Sequence, residues 1–122
     1  MTIIQDQILS GERPLYGSRD LRLERVTIGE GESALKECRH IEAYECVFEG
    51  RYIFWECVDV ECRNCHFTSD DRAPLWYGKN IRMHDCIMDA PKVFRELDGL
   101  ILENIQISDG SEAFWYCKNG HL

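Results

Sequence analysis

One stretch of the chain decides its fold: Lys79-Asn80-Ile81-Arg82-Met83-His84-Asp85-Cys86-Ile87-Met88. The polar turn residue Asn80 is followed by apolar residues at alternate positions and, after a second polar break, by another short apolar set. Alternation with a period of two is typical of a strand that buries one face. Related stretches recur about every 20 residues along the chain, so the sequence predicts a repeat architecture.

The repeat extends over most of the chain, and its positions form columns. The blocks begin at Pro14, Ala34, Ile53, Pro74, Val93 and Ala113. The second position of each block is apolar and is predicted to face inward: Leu15, Leu35, Phe54, Leu75, Phe94 and Phe114. A later position holds residues that tolerate left-handed backbone angles: Asp20, His40, Asp59, Asn80, Gly99 and Asn119.

A strand is expected to start directly after this turn position. Its two inward columns are Leu21, Ile41, Val60, Ile81, Leu100 and then Leu23, Ala43, Cys62, Met83, Leu102. A third inward column, and a fourth two residues further on, comprise Val26, Cys46, Cys65, Cys86, Ile105 and then Ile28, Phe48, Phe67, Met88, Ile107.

These columns predict an all-β fold, a right-handed single-stranded parallel β-helix (solenoid) of about five to six rungs of about 20 residues with an N-terminal cap. No run shows apolar residues at helical spacing over three turns, which excludes a helical repeat. The right hand follows from the sterics of parallel crossover connections. A leucine-rich repeat has a similar period, but it fits less well, because here the turn residue precedes the strand and the other half of the repeat is aromatic.

The motif Lys79 to Met88 resembles the rungs of the pectin-lyase-like right-handed β-helix superfamily, and the resemblance spans residues 14–119. The segment Ser10-Gly11-Glu12-Arg13-Pro14-Leu15-Tyr16, followed by Trp-rich rungs, resembles more narrowly a bacterial family of such helices without an assigned activity. Members of that family carry more rungs, whereas this chain stops inside its sixth, so it looks like a shortened form. The resemblance implies a fold, and it raises the expectation of polysaccharide binding because members of the superfamily commonly act on polysaccharides.

One domain is expected, with residues 1–13 as an N-terminal cap and residues 14–122 as the parallel β-helix rungs. Ile3, Ile4, Ile8 and Leu9 give the first segment apolar surface with which to cover the first rung, as solenoid ends require. The alternative is a frayed tail.

The net charge of −8 argues against nucleic acid and anionic membranes as partners, because both require clustered Lys and Arg. We expect no basic stripe. The segment Met1 to Asp6 lacks the positive region and long apolar run of a secretory signal, and no transmembrane run is present. The cytoplasm is therefore the expected location.

Seven cysteines in that compartment are expected to be reduced. Six fall into two columns: Cys38, Cys57, Cys117 and Cys46, Cys65, Cys86. We interpret them as small buried apolar residues, against a structural metal or a redox pair as alternatives. The run Cys62-Arg63-Asn64-Cys65-His66 matches a haem-attachment motif, but the repeat register explains it, and we expect no cofactor and no metal.

A column of aromatic and basic residues is predicted to point outward beside the inward Leu and Phe column: Tyr16, Lys36, Trp55, Trp76, Arg95 and Trp115. The next column contains Glu37, Glu56, Tyr77, Glu96 and Tyr116. Arg95 lies between Trp76 and Trp115, in position for cation–π contact. Such a surface suits stacking on sugar rings or a protein interface. The alternative is an aromatic ladder that stabilises the solenoid by stacking on itself.

Two functions remain open at this point. One is a non-catalytic structural or interaction module that forms a homo-oligomer through its C-terminal open end or the Trp face, because an open strand edge needs cover. The other is a carbohydrate-binding or carbohydrate-active protein, whose enzyme form would be a polysaccharide lyase or glycoside hydrolase using the glutamates. We favour the first and expect no catalytic residues, because no long loop is present to build a cleft.

Overall fold

The protein is a β-solenoid in a computed structural model, which describes residues 1–108, 114 and 117–121. This part of the chain contains strands, turns and bends and no helix, which confirms the predicted all-β class. The strands are β1 (Thr2–Gln5), β2 (Ile8–Glu12), β3 (Arg19–Glu24), β4 (Thr27–Glu32), β5 (Arg39–Tyr44), β6 (Val47–Phe48), β7 (Val58–Arg63), β8 (His66–Phe67), β9 (Lys79–His84), β10 (Ile87–Met88), β11 (Asp98–Glu103), β12 (Gln106–Ile107) and β13 (Lys118–His121).

The strands form two parallel sheets that alternate along the chain. The seven-stranded sheet has the order β1-β3-β5-β7-β9-β11-β13, and the six-stranded sheet has the order β2-β4-β6-β8-β10-β12. The chain therefore visits both sheets once per repeat and coils for about six turns. Each rung thus pairs with the next through two strands, whereas a leucine-rich repeat carries one strand per repeat. The predicted solenoid is confirmed, while its right hand stays a prediction.

The predicted turn residues are left-handed, but they lie inside the strands rather than ahead of them. Their φ angles are 52° for Asp20, 59° for His40, 63° for Asp59, 56° for Asn80 and 86° for Gly99. Strands β3, β5, β7, β9 and β11 each begin one residue before their left-handed residue. The pairing between strands skips the left-handed residue, since Arg19 pairs with Arg39 and Leu21 with Ile41. The expected strand start is therefore wrong by two residues, because a left-handed residue can bend a strand without ending its pairing.

The core lies between the sheets and includes the four predicted strand columns, the Leu and Phe column, and further buried residues such as Ile53, Cys57 and Val93. Phe48 packs at its centre, with its ring centroid 5.2 Å from that of Phe54 and 4.7 Å from that of Phe67. Met83 and Phe94 are also fully buried. Burial falls off at the last described rung, where Ile105 and Ile107 are only partly buried.

The third side of each rung is built from turns rather than a strand. The inward residues of this side are fully buried, yet their φ angles are 54° for Leu35, 60° for Phe54, 61° for Leu75 and 59° for Phe94. A left-handed angle costs such a residue about 1–2 kcal/mol. Burying a Leu or Phe side chain contributes about 1.5–3 kcal/mol, which offsets that cost.

The segment predicted as a cap supplies the first strand of each sheet, since β1 pairs with β3 and β2 pairs with β4. Ile4 and Leu9 pack against the core. Ile3 and Ile8 do not, because they alternate to the outer face, where they are 52% and 79% exposed. Half of the apolar set expected to cover the first rung therefore faces outward. No helix of the described residues could span a membrane.

Candidate functional site

The predicted aromatic face lies on the turn-built third side of the solenoid. We use this name for Tyr16, Lys36, Trp55, Trp76 and Arg95 together with Glu37, Glu56, Tyr77 and Glu96. Trp115 and Tyr116 fall outside the described residues. All nine described side chains are half-buried or exposed, so the outward orientation predicted from the sequence is found, although it arises from left-handed turns rather than from strand alternation.

Two tryptophans of this face stack on each other from neighbouring rungs. The ring centroids of Trp55 and Trp76 are 5.1 Å apart and their planes differ by 8°. The guanidinium carbon of Arg95, on the following rung, lies 4.9 Å from the ring centroid of Trp76. The predicted cation–π contact is therefore present on the Trp76 side, and Trp76 has one neighbour on each ring face.

Hydrogen bonds to the backbone fix the orientation of both indoles. The Nε1–H group of Trp55 donates to the carbonyl oxygen of Ala73 at 2.6 Å. That of Trp76 donates to the carbonyl oxygen of Lys92 at 2.7 Å. Both acceptors belong to the next rung, so each tryptophan ties its own rung to the following one by a hydrogen bond as well as by stacking.

Two tyrosines surround the stacked pair. Tyr77 meets both indoles edge-on, with centroid distances of 5.4 Å to Trp55 and 5.8 Å to Trp76. Tyr52, which the sequence analysis did not select, lies 5.0 Å from Trp55 at an angle of 56°. The tryptophan faces are thus largely occupied by the protein itself, while Tyr77 remains 40% exposed and Tyr16 48% exposed.

The carboxylates of the face are spread over several rungs. Glu37 accepts a hydrogen bond from the hydroxyl of Tyr16, and this bond raises the pKa of Tyr16 above its ordinary value. A carboxylate oxygen of Glu96 lies 3.9 Å from the Nε of Arg95. A cavity of about 570 Å³ lies at another corner and is lined by Glu30, Gly31, Glu49, Gly50, Arg51 and Asp70. The aromatic face therefore has side chains suited to recognition, and it lies away from this cavity.

The cysteine columns are buried at corners of the rungs, as the sequence predicted. The thiol of Cys57 donates to the carbonyl of Leu35 at 2.8 Å, and that of Cys65 donates to the carbonyl of Ala43 at 3.3 Å. Hydrogen bonds with neighbouring thiols, together with burial, raise the pKa of Cys57 and of Cys65. The thiols thus bond to carbonyl groups of the preceding rung, and no disulfide joins cysteines among the described residues.

The haem-like motif does not form a single site. Cys62 and Cys65 are 0% and 2% exposed and point into the core, whereas His66 faces outward, with Nε2 2.7 Å from an oxygen of Asp89. The interpretation of the motif as core columns is confirmed. Among the described residues, no group of three or more His, Cys, Asp or Glu side chains could hold a metal ion.

A serine, an aspartate and a histidine that the sequence analysis missed meet on the six-stranded side. Asp89 accepts hydrogen bonds from Ser108 and from His66, which lies on the opposite neighbouring rung. These bonds, first that of Ser108 and then that of His66, lower the pKa of Asp89. In a nucleophilic triad the histidine lies between serine and carboxylate. Here the aspartate is in the middle and His66 bonds to Asp89 rather than to Ser108, so the order of a nucleophilic triad is not met.

A buried carboxyl group at another corner was also missed. Asp71 is fully buried, and neither carboxylate oxygen has a hydrogen-bond partner among the described residues. The pairing of Glu32, Arg51 and Arg72 places Asp71 in the column of Gly31 and Gly50. Burial raises the pKa of Asp71 well above its ordinary value. The repeat register could have revealed it, but the longer turn before Ala73 obscures the alignment.

Comparison with known proteins adds a family and no activity. A family model matches residues 2–122, and its description is a protein of unknown function. No curated protein and no solved structure matches the chain.

Proposed function

The chain belongs to the family described as protein of unknown function (DUF3737), and we propose that it is a non-catalytic structural or interaction module that self-associates. Its solenoid would act as a rigid scaffold whose side chains hold the rungs together and present a charged lateral surface. Cysteines that are reduced and mostly buried suit a reducing compartment, so a cytoplasmic location is part of this proposal.

The observation that carries the proposal is the closed geometry of the tryptophan stack. Sugar rings bind to tryptophan by lying against an open ring face. Trp55 and Trp76 present a face to each other, Arg95 covers the far face of Trp76, and both N–H groups are bonded to backbone carbonyls. The stack therefore favours a role in holding rungs together over a role as a ligand platform.

The acidic residues support the same proposal. Glu37 is bonded to Tyr16, and Glu96 lies beside Arg95. The row that contains them has a tyrosine, Tyr77, in the rung between Glu56 and Glu96. Glycoside hydrolysis commonly uses two carboxyl groups that flank one substrate, whereas Glu37 and Glu96 are engaged in contacts within the protein.

Light scattering combined with tryptophan fluorescence tests the proposal on the native chain. We expect an oligomer whose emission is unchanged by a panel of neutral and acidic oligosaccharides, because the indoles are already occupied. Trp76→Phe provides a matched variant that keeps an aromatic ring at the same position. A monomer at high micromolar concentration would contradict self-association, and quenching by one oligosaccharide that disappears in Trp76→Phe would contradict the closed stack.

Carbohydrate binding is the second candidate, and the exposed rings of Tyr16 and Tyr77 favour it. It accords with the proposed relationship to a bacterial family of the pectin-lyase-like superfamily, which rests on the rung motif Lys79 to Met88 and on the segment Ser10 to Tyr16 followed by Trp-rich rungs. A sugar that stacks on these rings would lose affinity in Tyr77→Ala and keep it in Tyr52→Phe. Equal binding by both variants would exclude Tyr77 as the platform.

A further inference from the structure

The strands of the seven-stranded sheet carry opposite charges at their two ends. Strand β5 begins at Arg39 and is followed by Glu45, and strand β9 begins at Lys79 and is followed by Asp85. The strand between them, β7, begins at Val58 and is followed by Asn64. We call Arg39 and Lys79 the basic edge and Glu45 and Asp85 the acidic edge. Both edges therefore have charges on the same two rungs and a neutral residue on the rung between.

The side chains of both edges are accessible. Arg39, Lys79, Glu45 and Asp85 are exposed. Within the described residues, the side chains of Arg39, Lys79 and Glu45 make no hydrogen bond and no direct ion pair, and Asp85 accepts one hydrogen bond, from Asn104 at 2.6 Å. The register aligns Arg39 with Val58 and Val58 with Lys79. The basic edge thus carries two accessible cations on alternate rungs.

The neighbouring rungs do not share this pattern. Strand β3 begins at Arg19 and is followed by Arg25, so it carries arginine at both ends, but Arg25 is paired with Asp6 at 2.7 Å. Strand β11 begins at Asp98 and is followed by Asn104. A cation at the start of the strand and an anion after its end are therefore found together on β5 and β9, in the middle of the solenoid.

From this arrangement we infer that the basic edge of one molecule binds the acidic edge of a second copy, with the two solenoid axes parallel and the rungs in register. The inference rests on the proposed self-association and names its surface. Moving one molecule along the strand direction places its Arg39 beside Glu45 of the neighbour and its Lys79 beside Asp85 of the neighbour. The two seven-stranded sheets then lie side by side.

The spacing of the charges favours a second copy over other partners. Both edges are set by the same strands, so their charges, which lie two rungs apart, repeat at the same interval of about 9.6 Å. An extended peptide repeats a face about every 6.8 Å, and an α-helix returns to one face about every 5.4 Å. A second copy of this solenoid presents its charges at the same interval as the edge that it meets.

The contact joins two different edges, so each molecule keeps one edge of each kind unused. Such heterologous contacts form open rows unless a rotation closes them into a ring. Complementary charge at exposed positions acts mainly on encounter rate and register and weakens with salt. We therefore expect concentration-dependent association that falls as the salt concentration rises.

Charge reversal on either edge tests the inference by sedimentation velocity at low salt. One double variant carries Arg39→Glu and Lys79→Glu, and the other carries Glu45→Lys and Asp85→Lys. Each has like charges on both edges, so each alone should associate about tenfold more weakly than the parent chain or worse. When the two variants are mixed, each edge of one is complementary to the opposite edge of the other, so association should return.

Two further variants control for the effect of net charge on association. The quadruple variant with all four substitutions has the same net charge as the parent chain and should associate like it. The double variant Arg51→Glu and Arg72→Glu, outside both edges and the aromatic face, changes the net charge as much as the basic-edge variant, so it should associate more strongly than that variant. Circular dichroism checks that each variant is folded.

The outcomes separate this inference from the proposed function. If the parent chain associates and the edge variants associate equally well, self-association stands and the edge contact is overturned. If each folded double variant fails alone and the mixture also fails, the edge contact is likewise overturned. A parent chain that stays monomeric at low salt overturns both.

Discussion

The indole rings of Trp55 and Trp76 lie parallel, with centroids 5.1 Å apart and planes that differ by 8°. The two residues come from successive rungs and hold the same position in their repeats. Each also donates a hydrogen bond to the rung that follows it. The pair therefore joins three rungs on a side of the solenoid where turns replace a continuous sheet, and this makes it a stabilising element as well as a candidate recognition surface.

Removing one ring should measure this stabilisation. Trp76→Ala removes the stack, the contact with Arg95 and the bond to the Lys92 carbonyl, so we expect the free energy of unfolding to fall by about 2–4 kcal/mol. Trp76→Phe keeps an aromatic neighbour for Trp55 and should cost only about 1–2 kcal/mol. Urea denaturation followed by circular dichroism measures both values.

Tyr16→Ala is the control for an aromatic residue of the same column that does not belong to the stack. Its free energy of unfolding should differ from that of the parent chain by no more than about 0.5 kcal/mol, as for most exposed positions. If Trp76→Ala costs no more than this control, the stack does not hold the rungs together.

The buried carboxyl group of Asp71 should destabilise the native state at neutral pH. Its oxygens have no partner among the described residues, and burial raises the pKa of the folded state. Asp71→Ala places in this column a residue that fits beside the glycines, so we expect a gain in stability of about 1–3 kcal/mol at neutral pH. Asp70→Ala, at the exposed neighbour, should change stability by less than about 0.5 kcal/mol.

Asp71→Ala should also change the pH dependence of stability in a defined direction. A folded pKa above the unfolded pKa means that the native state binds the proton more tightly. The contribution of Asp71 is therefore most favourable below the unfolded pKa of about 3.9 and is lost as the pH rises through the raised folded pKa. The stability difference between Asp71→Ala and the parent chain should grow over that interval, and a constant difference would show that Asp71 does not titrate in this way.

Most of the fold could be predicted from the sequence because the repeat places equivalent residues in equivalent environments. One inward column contains Leu23, Cys62 and Met83, and these residues are buried for the same reason, because they hold the same position in their rungs. The left-handed angles of Leu35 and Phe54 could not be predicted, because bulky residues normally avoid this region and only burial in the core compensates the cost.

The candidate site was predictable in its members but not in its geometry. Alternation indicates that Trp55 and Trp76 face outward, yet it cannot tell whether the rings offer their faces to a ligand or to each other. That choice depends on the side-chain rotamers, which the carbonyl groups of Ala73 and Lys92 fix. The contact of His66 with Asp89 was missed for a related reason, because it joins different columns of neighbouring rungs.

The thiols should be protected from reagents in the native state. Cys38, Cys46, Cys57, Cys62, Cys65 and Cys86 are buried, whereas Cys117 is only partly buried. Buried thiols react slowly because a reagent reaches them only when the fold opens. With a thiol-specific chromogenic reagent, we expect one rapid equivalent from Cys117 and slow reaction of the rest at the rate of unfolding. Cys117→Ser should abolish the rapid phase, and a rapid phase that persists in this variant would place another thiol at the surface.

The close approach of Gly11 and Gly31 should make the first corner intolerant of any side chain. A Cβ atom at Gly31 would lie 1.9 Å from the carbonyl oxygen of Gly11, and Gly31 has a φ of 153°. The backbone of the first rung would have to move to admit it, so Gly31→Ala should weaken the pairing of β2 with β4. Gly17→Ala is the matched control, because Gly17 also has a positive φ, of 68°, but no atom lies within 4 Å of its Cβ position.

Gly17→Ala should lower the free energy of unfolding by only about 1 kcal/mol, because of backbone strain. Gly31→Ala should lower it by clearly more. Hydrogen exchange separates local from global effects, since the amides of Ile8 to Glu12 should lose protection first in Gly31→Ala. Equal stability of the two variants would mean that the rungs at this corner can separate without loss, and the first rung would then be held by β1 rather than by the glycine contact.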